Sequence, residues 1–451
     1  MARRLIEGAR VVTMNAAREV LEADVLVEKG GISRIGRDLA PALPDLAPAE
    51  RLDARGLTMI PGLVQTHIHL CQTLFRGLAD DLSLIDWLRT RIWPFEGALS
   101  HETLRVSADL GLAELARGGT TTILDMGTVH HTDAVGEAVV HSGLRAWIGK
   151  AMMDEGDGVP PSLAETAEDS IRESLALAAR WDGAAEGRIR YAFCPRFAFS
   201  CSRRLLGEVG EILSSGPWLL HTHANETVWE VEESARRWGT TNVGYLDGAR
   251  LTGRRAVFAH GVHLADEERA LLARTDTCVT HCPSSNLKLA SGIADVPALW
   301  EAGVRVGLGA DGAPANNSLD GFREMRLAAL LAKPRRGPTA VPAERALALA
   351  TIDGARVLGI EKETGSIEEG KAADLVLLDL GGPEHGAGGP AAARLGANVH
   401  SRIVYAASRD DVRYVFAAGE LLVDRGRLLR YGREELGRRA GEALADIEKR
   451  L

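Results

Sequence analysis

The sequence is poor in cysteine and has no long apolar run. Its five cysteines are odd in number and scattered along the 451 residues: Cys71, Cys194, Cys201, Cys278 and Cys282. We therefore expect reduced thiols in a cytoplasmic protein rather than a disulfide framework. No apolar stretch approaches the roughly 20 residues that span a membrane, and none near the first residues has the length of a signal-peptide core. A membrane is not among the expected partners.

An excess of basic residues is also missing. The formal net charge is −9 and the sequence pI is about 5.9, which argues against a nucleic-acid partner. The Gly-x-Gly-x-x-Gly loop of dinucleotide-binding folds is absent as well. What remains is an ordinary globular composition, with 45% hydrophobic and 25% charged residues.

The central part of the chain predicts the fold class. From residue 59 to residue 362, eight apolar strand-like runs alternate with helical stretches, the last of which is predicted from Pro342 to Leu358. Eight such units in sequence predict an α/β fold, a distorted (β/α)₈ TIM barrel.

The two ends of the chain have a different pattern. Residues 1–58 and 363–432 carry short apolar bursts separated by glycine turns, the pattern of antiparallel strands, with a glycine-rich loop at 381–389. We expect both ends to combine into one small β-sandwich domain. Residues 433–451 predict a charged amphipathic C-terminal helix.

The first strand-like run, Met59–His69, ends in a His-x-His pair. Alternate side chains of a strand share a face, so His67 and His69 can reach a single point together. Two imidazoles directed at one point suit a metal such as zinc.

Histidine and carboxylate recur at later strand ends. Barrel enzymes place their chemistry at the carboxyl ends of the strands. These ends carry His221 and His223 after strand five, His260 after strand six, His281 after strand seven and Asp311 after strand eight. The chain has only 13 histidines, so chance does not explain this clustering.

The ordered set His-x-His, His, His, Asp resembles the amidohydrolase superfamily, as do Pro61-Gly62 and the segment 370–375, Gly-Lys-Ala-Ala-Asp-Leu. The resemblance runs over the whole chain. It implies four metal ligands, which are His67, His69, His223 and Asp311. It also implies that His260 lies next to the metal and orients the hydrolytic water.

The number of metal ions follows from the end of strand four. Dinuclear members of the superfamily use a carbamylated lysine there, whereas this chain has Cys194-Pro-Arg196-Phe197. We therefore expect one divalent ion, zinc in the first place, with iron as the alternative.

His223-x-x-Glu226 resembles the deaminase branch of the superfamily. In that branch the glutamate carries a proton from the hydrolytic water to a ring nitrogen. A metal makes hydroxide available near neutral pH, and attack on an amidine-like carbon needs protonation of the adjacent nitrogen and of the departing amine. Asp311, which faces the same water, can take its proton.

Two segments bear on the substrate. Asp80–Trp87 and Trp93–Glu96 resemble S-adenosylhomocysteine and methylthioadenosine deaminases. The resemblance implies that Trp87 packs on the nucleoside and that Glu96 binds both ribose hydroxyls, for which a carboxylate is well suited.

Strand four departs from this group. Its Pro-Arg-Phe segment resembles guanine deaminase, in which the arginine and phenylalanine hold the purine, so Arg196 and Phe197 become candidate substrate contacts. Gln72, three residues after His69, also matches a guanine-contacting glutamine. Arg196 is alternatively a member of a structural ion pair.

We therefore predict hydrolytic deamination of a small molecule, a 6-aminopurine nucleoside without a free 5′-hydroxyl. Examples are 5′-deoxyadenosine, methylthioadenosine and S-adenosylhomocysteine. The alternatives are a free aminopurine, guanine or 8-oxoguanine, and a triazine-type substrate of an amino- or chlorohydrolase. A non-catalytic scaffold is the hypothesis of another class, although the full ligand set argues against it. By resemblance we expect a homo-oligomer.

Overall fold

The computed structural model describes residues 3–386 and 398–451. Its strands, in chain order, are β1 Arg4–Val12, β2 Val20–Glu28, β3 Gly31–Gly36, β4 Arg51–Asp53, β5 Thr58–Pro61, β6 Leu63–His69, β7 Thr120–Met126, β8 Arg145–Gly149, β9 Ala151–Met152, β10 Ile189–Pro195, β11 Leu219–Ala224, β12 Ala256–His260, β13 Cys278–His281, β14 Val306–Leu308, β15 Asp311–Gly312, β16 Leu375–Leu378, β17 Val412–Ala417, β18 Glu420–Asp424 and β19 Arg427–Leu428.

Helices connect most of these strands. In chain order they are α1 Leu84–Trp87, α2 Trp93–Gly97, α3 His101–Arg117, α4 Thr132–Ser142, α5 Ala167–Trp181, α6 Ala184–Gly187, α7 Arg203–Ser215, α8 Val228–Trp238, α9 Asn242–Gly248, α10 Asp266–Thr275, α11 Pro283–Lys288, α12 Val296–Glu301, α13 Ala313–Asn316, α14 Gly321–Leu331, α15 Lys333–Arg336, α16 Ala343–Leu349, α17 Ile352–Val357, α18 Val399–Ser401 and α19 Arg433–Glu448.

The ten-stranded parallel sheet runs β6-β7-β8-β10-β11-β12-β13-β14, with β9 beside β10. The eighth barrel strand is divided in two. Its first half, β14, pairs with β13, and its second half, β15, pairs with β6, where Asp311 stands opposite Ile68. This return to β6 joins the two ends of the sheet, so the predicted distorted (β/α)₈ barrel is confirmed.

The sequence of the barrel strands explains their position. All residues of β6, β7 and β8 are buried, as expected for parallel strands that are covered on both faces. The division of strand eight falls at Gly309, where an added Cβ would lie only 2.6 Å from the carbonyl oxygen of His67. A glycine is therefore required at this close approach, and it brings Asp311 beside β6.

The nine-stranded mixed sheet draws its strands from both ends of the chain. Its order is β19-β18-β17-β16-β5-β1-β2-β3, with β4 beside β1. Successive side chains of a strand point to opposite faces of the sheet. Val25, Val27, Leu375 and Leu377 accordingly pack in one apolar cluster, and Leu26 packs in a second cluster with Leu5 and Leu39. The two chain ends thus share one sheet; its predicted β-sandwich form stays a prediction.

Contact density separates two compact units: Met1–Val64, Ala113–Thr122 and Asp320–Tyr431 form one, and Gln65–Leu112, Ile123–Leu319 and Gly432–Leu451 form the other. The domain limits predicted from the sequence stay a prediction. The glycine-rich segment 381–389 lies partly outside the described residues.

The prediction of one helix from Pro342 to Leu358 was wrong, because the structure has two helices there, α16 and α17. Thr351 has a non-helical backbone, with φ −134° and ψ −100°, and the amide of Val64 donates to the carbonyl of Ala350 at 2.7 Å. That carbonyl bonds to strand β6 instead of continuing the helix. At the C-terminal end of the chain the structure has helix α19, which runs from Arg433 to Glu448. Among the described residues, no helix combines the length and the apolar character that crossing a membrane requires.

Candidate active site

Four side chains meet at the carboxyl ends of three barrel strands. His67 and His69 come from β6, His223 from β11 and Asp311 from β15, and one ligand atom from each lies within 4.8 Å of the others. Nε2 of His67 and Nε2 of His69 each lie 3.3 Å from Oδ1 of Asp311. Asp311 adopts a positive φ of 63°, a strained conformation for a residue other than glycine. The structure thus brings together the four ligands that the resemblance implied.

The tautomer of His67 is set by a second histidine. Nδ1 of His221 lies 2.9 Å from the carbonyl oxygen of Val257, which can only accept, so this nitrogen carries the hydrogen. Nε2 of His221 therefore accepts, and Nδ1 of His67 donates to it at 2.7 Å. Nε2 of His67 is left with its lone pair facing the cluster, buried and without a hydrogen bond. Such an outer partner orients a ligand and raises its basicity.

His69 and His223 are oriented by backbone carbonyls. Nδ1 of His69 donates to the carbonyl of Met126 at 2.7 Å, and Nδ1 of His223 donates to that of Arg196 at 2.6 Å. Their Nε2 atoms, both unprotonated, lie 3.2 Å apart. Two lone pairs at this distance repel each other unless a cation lies between them.

Burial keeps the histidines of the cluster neutral. It lowers the pKa of His69 to about 4 and that of His223 well below the usual value. Burial opposes the ionisation of Asp311, whereas a protonated His260 nearby favours its charged form. Three neutral imidazoles and one carboxylate, with nitrogen lone pairs directed at one point, fit a divalent ion such as zinc.

Glu226 and His260 lie beside this cluster. Oε2 of Glu226 is 3.5 Å from Nε2 of His260, and both side chains are buried. Burial raises the pKa of Glu226. Burial lowers the pKa of His260, but the carboxylates of Glu226 and Asp311 outweigh it, so the pKa is raised. This pair can hold and transfer a proton next to the four ligands.

The opposite wall contains a closed polar cluster. Arg196 donates to both oxygens of Glu96, from Nη1 at 2.7 Å and from Nη2 at 3.0 Å. Gln72 and Thr128 donate to the same carboxylate, at 2.9 Å and 3.1 Å. Burial opposes the charge of Glu96, but Arg196 lowers its pKa. Gln72 is left with a buried carbonyl oxygen, Oε1, that has no hydrogen-bond partner.

A cleft of about 430 Å³, its open mouth included, connects the two clusters. It is lined by His69, Gln72, Leu84, Trp87, Leu88, Arg196, Phe197, His223, Glu226, Glu230, His260, Leu289 and Asp311. Trp87 and Phe197 supply buried aromatic faces, 4% and 6% exposed. Glu96 is the one predicted substrate contact that does not line the cleft; its carboxylate lies behind Arg196 and Gln72.

His221 and Thr128 are two residues of the site for which the sequence predicted no role. The period of two in β11 places His221 and His223 on one face, as it does His67 and His69, and this signal could have indicated His221. No pattern indicated Thr128, which lies 32 residues from Glu96. His281 also ends a strand, but it is not part of the four-ligand group.

A barrel that gathers metal-ligand side chains at the carboxyl ends of its strands defines a class, the metal-dependent hydrolases. The family model described as Amidohydrolase family matches residues 58–422 of the chain. The chain therefore belongs to the Amidohydrolase family, and the resemblance stated from the sequence is confirmed.

Relatives named as deaminases match most of the chain. It is 41% identical over 386 residues to the 5-methylthioadenosine/S-adenosylhomocysteine deaminase of Moorella thermoacetica, which covers 85% of this chain and 86% of that protein. It is 40% identical over 425 residues to the 5′-deoxyadenosine deaminase of Methanothermobacter thermautotrophicus, 94% of each chain.

A solved structure agrees with these relatives. The zinc-bound adenosine deaminase of Xanthomonas campestris has a TM-score of 0.89 at 33% identity and covers 99% of this chain and 98% of its own. The chain is accordingly a metal-dependent aminohydrolase.

Proposed function

We propose that the protein hydrolytically deaminates a 6-aminopurine nucleoside that lacks a free 5′-hydroxyl, such as 5′-deoxyadenosine, methylthioadenosine or S-adenosylhomocysteine. The observation that carries this proposal is the buried pair Glu226–His260 beside four convergent ligand atoms. Two relatives named for such nucleosides, at 40% and 41% identity, support the substrate class.

We propose one divalent ion, zinc first and iron as the alternative, held by His67, His69, His223 and Asp311. When bound, such an ion lowers the pKa of a water towards neutrality and makes it a nucleophile. Strand four offers Cys194 and Arg196 but no lysine for a second ion. The lysine nearest to this end in sequence, Lys150, is fully buried in ion pairs with Glu165 and Glu173.

The proton steps belong to the chain's own side chains. Asp311 accepts one proton of the hydrolytic water and later passes it to the departing amine, which returns the carboxylate to its charged form. Glu226 carries the other proton of the water to the ring nitrogen next to the reacting carbon, and a carboxyl with a raised pKa is suited to hold that proton on the way. His260 orients the water. The proton from Asp311 reaches the amine nitrogen, the bond between this nitrogen and the ring carbon breaks, and ammonia leaves while the carbon keeps the oxygen of the water as a carbonyl.

The substrate contacts follow from the cleft. We propose that Trp87 and Phe197 pack against the purine and that Gln72 and Arg196 hydrogen-bond its edge. Glu96 can bind a ribose diol only by giving up contacts to Arg196 or Gln72, because its two oxygens already accept four hydrogen bonds.

A free aminopurine, guanine or 8-oxoguanine, is the second candidate. The observation that favours it is the polar pair facing the cleft, the guanidinium of Arg196 and the unpaired Oε1 of Gln72. Together they present donors and an acceptor to the edge of a base without a sugar.

An ammonia-release assay distinguishes the candidates. The purified protein is offered 5′-deoxyadenosine, methylthioadenosine, S-adenosylhomocysteine, adenosine, guanine, 8-oxoguanine and a melamine-type triazine, with chelator-treated protein as the control. We expect ammonia release from the 5′-modified nucleosides. The release should be lost when the metal is removed by the chelator and should recover when the metal is added back. Release from the free bases alone would support the second candidate and remove the ribose contact of Glu96.

A further inference from the structure

The turn after strand β13 contacts each of the groups proposed to handle protons. We call residues 285–291, the second part of α11 and the three residues after it, the positioning turn. Its first contact joins Oγ of Ser285 to Oδ2 of Asp311 at 2.5 Å, and Ser285 is fully buried. The hydroxyl donates, since a charged carboxylate only accepts. This bond fixes the rotation of the carboxylate so that Oδ1 faces His67 and His69.

The second contact fixes His260. Oδ1 of Asn286 accepts from Nδ1 of His260 at 2.8 Å, and Asn286 is fully buried. Nε2 of His260 then faces Glu226. His260 has a positive φ of 75°, a strained backbone conformation for a residue other than glycine.

The third contact fixes Glu226. Oγ of Ser291 donates to Oε1 of Glu226 at 3.0 Å, and both residues are buried. With Oε1 bonded in this way, Oε2 is the oxygen that faces His260. A hydrogen bond to a charged acceptor is among the stronger ones in proteins.

The turn itself is held rigidly. Its last residue is bonded to its second residue, since the amide of Ser291 donates to the carbonyl of Asn286 at 2.8 Å. Nε2 of His263 donates to the carbonyl of Ser291 at 2.6 Å. Gly292 follows with a φ of +130°, and an added Cβ there would lie 2.9 Å from Val262. A side chain on this turn is therefore held at a fixed place.

We infer that Ser285, Asn286 and Ser291 are positioning residues, which set the orientations of Asp311, His260 and Glu226 through one hydrogen bond each. The inference rests on the proposed deaminase function, because it concerns the same proton steps. Its most specific member is Ser291. Loss of the Ser291 hydroxyl leaves Glu226 free to rotate, which lowers the rate of proton delivery without removing a contact to the substrate or to a metal ligand.

The test compares variants of Ser291 in the full-length, metal-loaded protein, with ammonia release as the readout. Ser291→Ala removes the donor, Ser291→Cys keeps the volume but supplies only a weak donor, and Ser291→Thr keeps the hydroxyl. Leu287→Ala, which truncates an exposed side chain of the same turn, is the matched control.

We expect Ser291→Ala to lower kcat on the order of tenfold or more, with KM and bound metal unchanged. Ser291→Cys should fall between it and the wild type, and Ser291→Thr should recover most of the rate. Leu287→Ala should match the wild type. Because the cysteine variant is nearly isosteric, it tests the inference even where the alanine variant does not fold.

An unchanged kcat in Ser291→Cys would overturn the inference, as would a joint loss of kcat and bound metal in all three variants. Both outcomes leave the proposed function standing, because the wild type still releases ammonia. A wild-type protein that releases no ammonia from any compound of the panel would overturn the proposed function instead.

Discussion

Two buried polar clusters face one cleft, and they differ in how their polar atoms are used. In the metal-ligand cluster, His67, His69 and His223 donate with Nδ1 and leave Nε2 unprotonated towards a shared point. In the opposite cluster, Glu96 and Arg196 bond mainly to each other.

The Nε2 atoms of the metal-ligand cluster are therefore available to bind a ligand, whereas the polar atoms of Glu96 and Arg196 are used in hydrogen bonds within the protein. Nε2 of His67 is buried without a hydrogen bond, and Nε2 of His69 and of His223 lie close enough to repel each other. Such an arrangement is costly in an empty site and favourable around a cation. A carboxylate that accepts four hydrogen bonds is already satisfied without any ligand, and it stabilises the wall on which a substrate would rest.

The largest effect is expected from a substitution of Glu226, which lies beside the metal-ligand cluster. Glu226→Gln keeps the shape of the side chain but cannot carry a proton, so kcat for ammonia release should fall by about 10³-fold, within the range of general acid–base catalysis. Bound metal and KM should stay near the wild-type values. Metal analysis and steady-state kinetics on 5′-deoxyadenosine measure both. A variant with wild-type kcat would remove Glu226 from the proton path.

Breaking the closed cluster should instead cost stability. Arg196→Met leaves the buried carboxylate of Glu96 uncompensated, which should lower the free energy of unfolding by about 3–5 kcal/mol. The double variant Arg196→Met, Glu96→Gln should recover most of that loss. Urea denaturation measures both variants. Arg204→Met, which breaks the exposed pair with Glu208, is the control and should leave the denaturation midpoint nearly unchanged. Equal losses in the single and double variants would contradict a mutually satisfied pair.

Another buried carboxylate, that of Asp125, makes the stability of the protein depend on pH. Oδ1 accepts from the amide of Leu70 at 2.7 Å, but Oδ2 has no hydrogen-bond partner. Burial raises the pKa of Asp125 to about 7 from a usual value of 3.8. Below about pH 4 the carboxyl is protonated in both states; as the pH rises towards 7 the unfolded chain ionises first, and stability falls by on the order of 4 kcal/mol.

Asp125→Asn should therefore remove this loss between pH 4 and pH 7, as measured by urea denaturation across that range. Glu96→Gln is the control, because the contribution of Glu96 to stability changes with pH in the opposite direction. The pKa of Glu96 is lowered, so its carboxylate contributes stability above the usual pKa that is lost as the pH falls. An Asp125→Asn variant with the pH profile of the wild type would show that Asp125 is not protonated in the native state.

The smallest effect is expected at the partner of a ligand. His221→Ala removes the acceptor that fixes the tautomer of His67, so the affinity for zinc should fall about 10- to 100-fold. His221→Gln can supply an acceptor near the same place and should lose less. Competition with a chelator of known affinity measures the difference. Equal affinity in the wild type and in His221→Ala would show that His67 is oriented without this hydrogen bond.

Patterns of short period made the fold and the metal cluster predictable. The eight strand-like runs gave the barrel, and the period of two in β6 placed His67 and His69 on one face before any contact was known. Asp311 was predicted as the end of strand eight, although the division of that strand at Gly309 was not. A backbone approach to His67, 242 residues earlier in the chain, leaves no local signal.

Contacts between distant residues could not be predicted in this way. Arg196 was left open between a substrate contact and a structural ion pair, and the structure pairs it with Glu96, 100 residues away. The hydrogen bond from Ser291 to Glu226 spans 65 residues. Serine and asparagine are common in turns for local reasons, so their presence in the positioning turn indicated no role.

Anomalous diffraction at the zinc edge from crystals of the zinc-loaded protein would show which side chains hold the metal and how many ions are bound. We expect one peak, bonded to Nε2 of His67, His69 and His223 at about 2.0–2.1 Å and to a carboxylate oxygen of Asp311 at about 2.0–2.2 Å. A second metal peak within the cleft, or a single peak held by other side chains, would contradict it.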